Sequence, residues 1–253
     1  MPRAFEVIGV LAFGCVGCVD NPYVIGRVAD AGEDEGAVMD TCPAGHANAR
    51  VCSGFERLDL SDWSAPMIER SGEVERASGH THAGSGALHA SSASMMSVAV
   101  LSASFAPELS GELYLRAYVY VPVNLPTETM NILFLGNEAS GAPFSGIDLN
   151  LQDGAVQVYS SASDPPRQTG SLTIPRDRWF CLRARVALAG ANGAVQAYVD
   201  DVLALDARGL DTLPSGGVQQ LHAGIGWSSA QDAFFEIYFD DIVLDSVPVA
   251  CLP

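Results

Sequence analysis

The strongest constraint on this chain is a two-residue rhythm of apolar side chains that recurs along most of its length. In residues 113–121, Leu113, Leu115, Ala117, Val119 and Val121 alternate with Tyr114, Arg116, Tyr118 and Tyr120, and Pro122 closes the run. Successive side chains of a strand face opposite ways, so this spacing yields one packed face and one amphipathic face. The same arithmetic sets Ile147, Leu149 and Leu151 against Asp148, Asn150 and Gln152, and Phe180, Leu182, Ala184 and Val186 against Trp179, Cys181, Arg183 and Arg185. Val195, Ala197 and Val199 alternate likewise with Gln196, Tyr198 and Asp200. Turn residues, among 25 Gly and 14 Pro, separate these runs, and no stretch beyond the first eighteen residues keeps a useful helical period. Strands of this kind pair into two antiparallel sheets packed face to face, so the expected fold is an all-β, two-sheet antiparallel β-sandwich. The last run, residues 234–244, carries adjacent carboxylates at Asp240 and Asp241. One of them must turn inward or to the rim, where a carboxylate needs a partner.

Charge excludes several functions. The 253 residues hold 30 acidic and 13 basic side chains, a net charge of -17, with no lysine. Such a chain repels phosphate backbones, which argues against nucleic-acid binding and disfavours polyanionic glycans unless a cation intervenes. Without lysine there is no phosphate-cradling Gly-Lys-Ser/Thr loop, no Schiff base and no Ser-Lys dyad.

The first eighteen residues read as a targeting segment: Arg3, a short apolar run at residues 7–13, then Gly14-Cys15 and Gly17-Cys18. They resemble a bacterial lipoprotein signal. That resemblance implies export and a lipid anchor at Cys15 or Cys18, placing the protein in the bacterial cell envelope and giving it a membrane partner. A secretory signal with incidental cysteines is the alternative. Residues 19–40, acidic and poor in large apolar side chains, read as a flexible linker, leaving residues 41–253 as the sandwich domain. Four cysteines remain, and an even number in an exported protein implies disulfides with three connectivities open. Local pairing, Cys42 with Cys52 and Cys181 with Cys251, is the expected one. A zinc site built from these four and His46 lacks any Cys-x-x-Cys pair.

Phe55-Glu56, Trp63, the Gly-rich turn at residues 83–88 and the Phe239-Asp240-Asp241-Ile242 ending resemble the terminal motifs of carbohydrate-binding β-sandwich modules. Leu113-Tyr114-Leu115-Arg116, Asp177-Arg178-Trp179-Phe180 and Tyr198-Val199-Asp200-Asp201 resemble concanavalin A-like or laminin-G-like jelly rolls. The resemblance implies a structural calcium held by Glu56 and Asp241, with Asp240 as alternate. Calcium takes six to eight oxygens, so carbonyls of the turn at residues 79–86 would complete the set.

A polysaccharide or glycoconjugate partner needs aromatic faces for sugar rings and polar groups for hydroxyls. Tyr118, Tyr120, Tyr159 and Trp227 supply the former; Arg116, Asp148, Asn150 and Arg185 supply the latter. The ligand set expected is Arg116, Tyr118, Asp148, Asn150, Tyr159 and Trp227. No Glu-x-Asp-x-Glu arrangement of a jelly-roll glycosidase is present, and no catalytic residue is assigned. Arg70–Arg76 and Gln220-Leu221-His222 are similar to alginate-lyase motifs, but an extra residue interrupts the first and the lysine-containing third is missing. The expected function is therefore non-catalytic glycan binding. A polysaccharide lyase or glycoside hydrolase on the same scaffold, and a structural or adhesive lipoprotein, are the alternatives.

Overall fold

A computed structural model of the protein describes residues 42–124, 127–137, 145–214, 216–230 and 233–252. The expected signal segment with Cys15 and Cys18, and the acidic linker 19–40, lie outside the described residues. The first strands are β1 (Val51–Ser53), β2 (Met67–Glu69), β3 (Glu73–Ala77), β4 (Ala87–Ser92), β5 (Val98–Leu109), β6 (Glu112–Tyr120) and β7 (Met130–Asn137). Then come β8 (Ser145–Gln152), β9 (Ala155–Ser160), β10 (Arg167–Thr173), β11 (Trp179–Ala187), β12 (Gly193–Val199), β13 (Val202–Leu210), β14 (Val218–Ser228) and β15 (Phe235–Asp245). They form two sheets, a back sheet ordered β13-β12-β11-β6-β15-β4-β3 with β1 on β15, and a front sheet ordered β10-β9-β8-β7-β14-β5-β2. The pairings are antiparallel and join strands distant in sequence, such as β15 with β6 and β14 with β7. This is the expected β-sandwich, of jelly-roll type.

The alternation read from the sequence is the division between core and outer face. Leu113, Leu115, Ala117 and Val119 of β6 and Phe180, Leu182, Ala184 and Val186 of β11 are buried between the sheets. They meet Leu133, Leu135, Ile147, Leu149, Val156, Val158, Leu221 and Ile225 from the front sheet. Each of the larger of these side chains contributes on the order of 1.5–3 kcal/mol by leaving water, which holds the sheets together. Strand β7 departs from the rhythm. Asn131 pairs with Asn150 and Leu133 with Leu149, so Ile132 is an extra residue that bulges the strand.

Both expected disulfides form, Cys42–Cys52 and Cys181–Cys251. The four cysteines are thus engaged, and His46 Nδ1 lies 2.8 Å from Asp245 Oδ2, so the zinc alternative is overturned. The second disulfide ties the chain's end across the back sheet. Arg116 donates from Nη1 to Ala250 O and from Nε and Nη2 to Asp241 O, while Tyr118 Oη donates to Leu252 O. Arg116 is 1% exposed. These two residues were expected to contact a ligand; instead the C-terminal segment covers them, because a buried guanidinium must have its donors taken by carbonyls.

Candidate active-site groove

The outer face of the front sheet holds a groove of about 350 Å³, lined by Met67, Asn131, Phe134, Asp148, Asn150, Tyr159, Arg167, His222, Gly226 and Trp227. Register builds it. One rung of directly opposed residues runs His222, Phe134, Asp148, Tyr159, Arg167 across β14, β7, β8, β9 and β10. The adjacent rung runs Trp227, Asn131, Asn150, Gln157, Thr169 across the same strands. Strands lie about 4.8 Å apart, so each rung spans about 19 Å between its outermost strands.

The second rung is a rail of amides. Asn131 Nδ2 donates to Asn150 Oδ1 at 3.2 Å, Asn150 Nδ2 to Gln157 Oε1 at 3.3 Å, and Gln157 Nε2 to Thr169 Oγ1 at 3.0 Å. Asn131 Nδ2 also donates to Asp148 Oδ1 at 3.0 Å, which links the two rungs. Such a chain fixes the orientation of every polar head in it. Two glycines make room for the groove floor. A Cβ on Gly226 would strike the Asn131 amide, and one on Gly136 would strike the Phe134 ring, which lies over that position.

The titratable groups of the groove are displaced from their ordinary ranges. Burial pushes the His222 imidazole down to about 4, so it is neutral at physiological pH. Its Nε2 sits 3.2 Å from Gln220 Oε1, and its ring packs at 5.0 Å from Phe134. Burial pushes Asp148 up to about 7, with the Arg167 guanidinium pulling the other way. Arg167 itself lies over the Tyr159 ring at 5.3 Å. Among the described residues that line the groove, Asp148 is the one carboxyl and Arg167 the one cation.

Of the expected ligand set, Asp148, Asn150, Tyr159 and Trp227 come together here, and Arg116 and Tyr118 lie on the other sheet. Asn131, Phe134, Arg167 and His222 were not anticipated as ligand contacts. The first two were hidden by the β7 bulge. His222 carried a signal, the Gln-Leu-His triplet, that no second motif supported. Arg70 and Arg76 of the other lyase-like stretch bind main-chain carbonyls of Met95 and Phe55 and do not line the groove.

Glu56 and Asp241 line a second pocket, of about 320 Å³, with Ala83, Gly84, Arg116 and the Cys42–Cys52 bridge. The turn expected to offer carbonyls also turns its amides to the carboxylates. Ser85 N and Gly86 N donate to Glu56, and His82 N and Ala83 N donate to Asp240 Oδ2. Asp240 is fully buried and pushed up to about 7 by burial, with the Asp241 charge adding to the rise. Asp241 Oδ2 meets His82 Nδ1 at 2.8 Å. Among the described residues no three His, Cys, Asp or Glu side chains are placed to hold a metal by themselves.

No protein-family model and no curated protein matches the sequence. Solved structures do match. The endo-β-1,4-glucuronan lyase from the fungus Trichoderma reesei superposes with a TM-score of 0.62 at 12% identity, over 78% of this chain and 94% of that one. The cellulose induced protein Cip1 superposes with a TM-score of 0.61 at 17% identity, over 80% of this chain and all of that one. The chain shares their jelly-roll β-sandwich. At these identities the likeness shows the fold, and the finer concanavalin A-like or laminin-G-like label goes beyond it.

Proposed function

We propose that the protein is a polysaccharide lyase that cleaves a uronate-containing glycan in the front-sheet groove. The observation that carries this reading is the groove's inventory: a neutral histidine, a rail of amides, one arginine and a single carboxyl. A glycosidase of the usual kind needs two carboxyl groups flanking the bond, and the described residues of the lining offer one. β-Elimination needs a base for the proton on C5 and a way to offset the charge of the neighbouring carboxylate. His222 takes the C5 proton, the released electron pair forms the C4–C5 double bond, and the C4–O4 bond breaks. The departing O4 then takes the proton from the imidazolium, which returns His222 to the neutral form that burial favours. Trp227, which is exposed, offers a face for a sugar ring, and the buried Phe134 lies in the groove floor. The net charge of -17 opposes a polyanion at long range, but within the groove Arg167 is the cation and His222 is neutral. The likeness to a glucuronan lyase scaffold supports the reading.

The test is incubation of the full chain with polyglucuronate, alginate, pectate and neutral β-glucans. A lyase releases products with the ultraviolet absorbance of an unsaturated uronate, and His222→Ala lowers that rate by roughly 10²–10⁴-fold, the usual worth of a general base. New reducing ends without absorbance would mean a hydrolase. Binding without products would restore the non-catalytic glycan-binding module.

Two further expectations belong to the same proposal. A calcium ion would be held at the second pocket by the Glu56 and Asp241 carboxylates and main-chain oxygens, where it would offset the surplus negative charge around buried Asp240. Export is supported by two disulfides, which persist in oxidising compartments, and a lipid anchor at Cys15 or Cys18 rests on the sequence of the first eighteen residues.

A further inference from the structure

Resting on the lyase reading, we propose that Asp148 works as a carboxylic acid, donating a hydrogen bond to the substrate carboxylate that lies beside the carbon attacked by His222. Asp148 stands two strands from His222 on one rung, with Phe134 between them. That separation is about 10 Å between backbones, room for one sugar ring above the groove floor at Phe134 with C5 toward the imidazole and its carboxylate toward Asp148.

The surrounding groups select Asp148 for this role. Most amide hydrogens of the rail are taken up inside the protein: the two of Asn131 by Asp148, Asn150 and Leu133 O, one of Asn150 by Gln157, and those of Gln157 by Gln152 and Thr169. Asp148 Oδ1 is held as an acceptor by Asn131, so the proton of the neutral acid belongs on Oδ2. The groups facing Asp148 are Asn131 and Phe134 on β7, and Tyr159 and Gln157 on β9; Arg167 on β10 and His222 on β14 lie a strand farther out. The Arg167 charge and the Asn131 amide favour the ionised form, and burial outweighs them, so the acid keeps its proton up to about pH 7. An ionised Asp148 would repel a uronate; a protonated one shares its proton with the substrate carboxylate and offsets the charge that builds as C5 loses its proton.

The role separates from that of a base by the isosteric amide. Asp148→Asn still offers a donor on the groove side and an acceptor to Asn131, and it cannot ionise. On polyglucuronate, wild-type kcat/KM is expected to fall about tenfold per pH unit above pH 7 as the acid is lost. The Asn variant keeps the rate within a few-fold below pH 7 and loses that alkaline fall. Asp148→Ala, which cannot donate, loses activity at every pH. A hundredfold or greater loss in Asp148→Asn, with its circular dichroism and melting intact, would make Asp148 a proton acceptor and overturn the proposal. An unchanged alkaline limb in that variant would overturn it too. The lyase reading survives either result, since wild type still turns over. If wild type yields no unsaturated product, that reading fails by itself, and calorimetric titration with oligoglucuronate decides the carboxylate contact. Wild-type affinity that weakens above pH 7, and Asn-variant affinity that does not, supports the contact; pH-independent binding or none overturns it.

Discussion

A carboxyl with the environment of Asp148 bears on stability as well as on binding. Its folded value of about 7 lies above its ordinary 3.8, so the folded state holds the proton more tightly than the unfolded chain does. The stabilisation is full below the unfolded value and is lost as pH rises toward the folded one. Three pK units correspond to roughly 4 kcal/mol at most. Asp148→Asn should therefore melt close to wild type in acid and distinctly higher above pH 7, and thermal denaturation across that range checks it; equal melting curves at alkaline pH would refute the burial argument. His222 acts in the opposite sense. Its folded value of about 4 lies below 6.5, so its contribution is present above 6.5 and is lost as pH falls toward 4.

At the scale of elements, the C-terminal segment is a strap. After β15 the chain recrosses the back sheet, where Val249, Ala250 and Leu252 offer carbonyls to Arg183, Arg116 and Tyr118, and Cys251 is tied to Cys181 of β11. The bridge closes a separation of 70 residues, which in the chain-entropy account is worth about 4 kcal/mol. Cys251→Ser should lower the stability read from urea unfolding by about 2–4 kcal/mol, since lost strap contacts and relaxation of the unfolded reference act in opposite directions. Because the groove is on the other sheet, glycan binding should be unchanged in that variant. The strap also explains the misplacement of Arg116 and Tyr118 as ligand contacts. Their strand and their outward direction were legible from the alternation of β6, but nothing local to β6 tells that residues some 130 positions later will lie on top of them. The bulge in β7 is the converse case. One extra residue at Ile132 brings Asn131 and Phe134 to the same outer face, which a strict two-residue period cannot anticipate.

For the described molecule as a whole, its first strand and its C-terminal segment both pack on the back sheet, and the groove lies on the front. A cation at the Glu56–Asp241 pocket would clamp β15 to the segment following β1, and so raise the melting temperature of the entire sandwich. At a hundredfold excess over its dissociation constant a bound ion contributes about 2.7 kcal/mol. Melting in calcium against melting in chelator reads this directly, and Glu56→Ala should bring the calcium value down to the chelated one; coincident wild-type curves would show that the Arg116 guanidinium, which already holds Asp241 O and lines the same pocket, suffices. The sequence by itself determined the architecture, because a two-residue apolar period is a local property of strands and needs only a second sheet to pack upon. It also determined the outward direction of Asp148 and Asn150, which follows from the same parity. Only the tertiary structure decided that these meet Trp227, Asn131, His222 and Arg167 across five strands. Strand order and register are set by pairings between distant segments, and no period within a strand encodes which neighbour it will have.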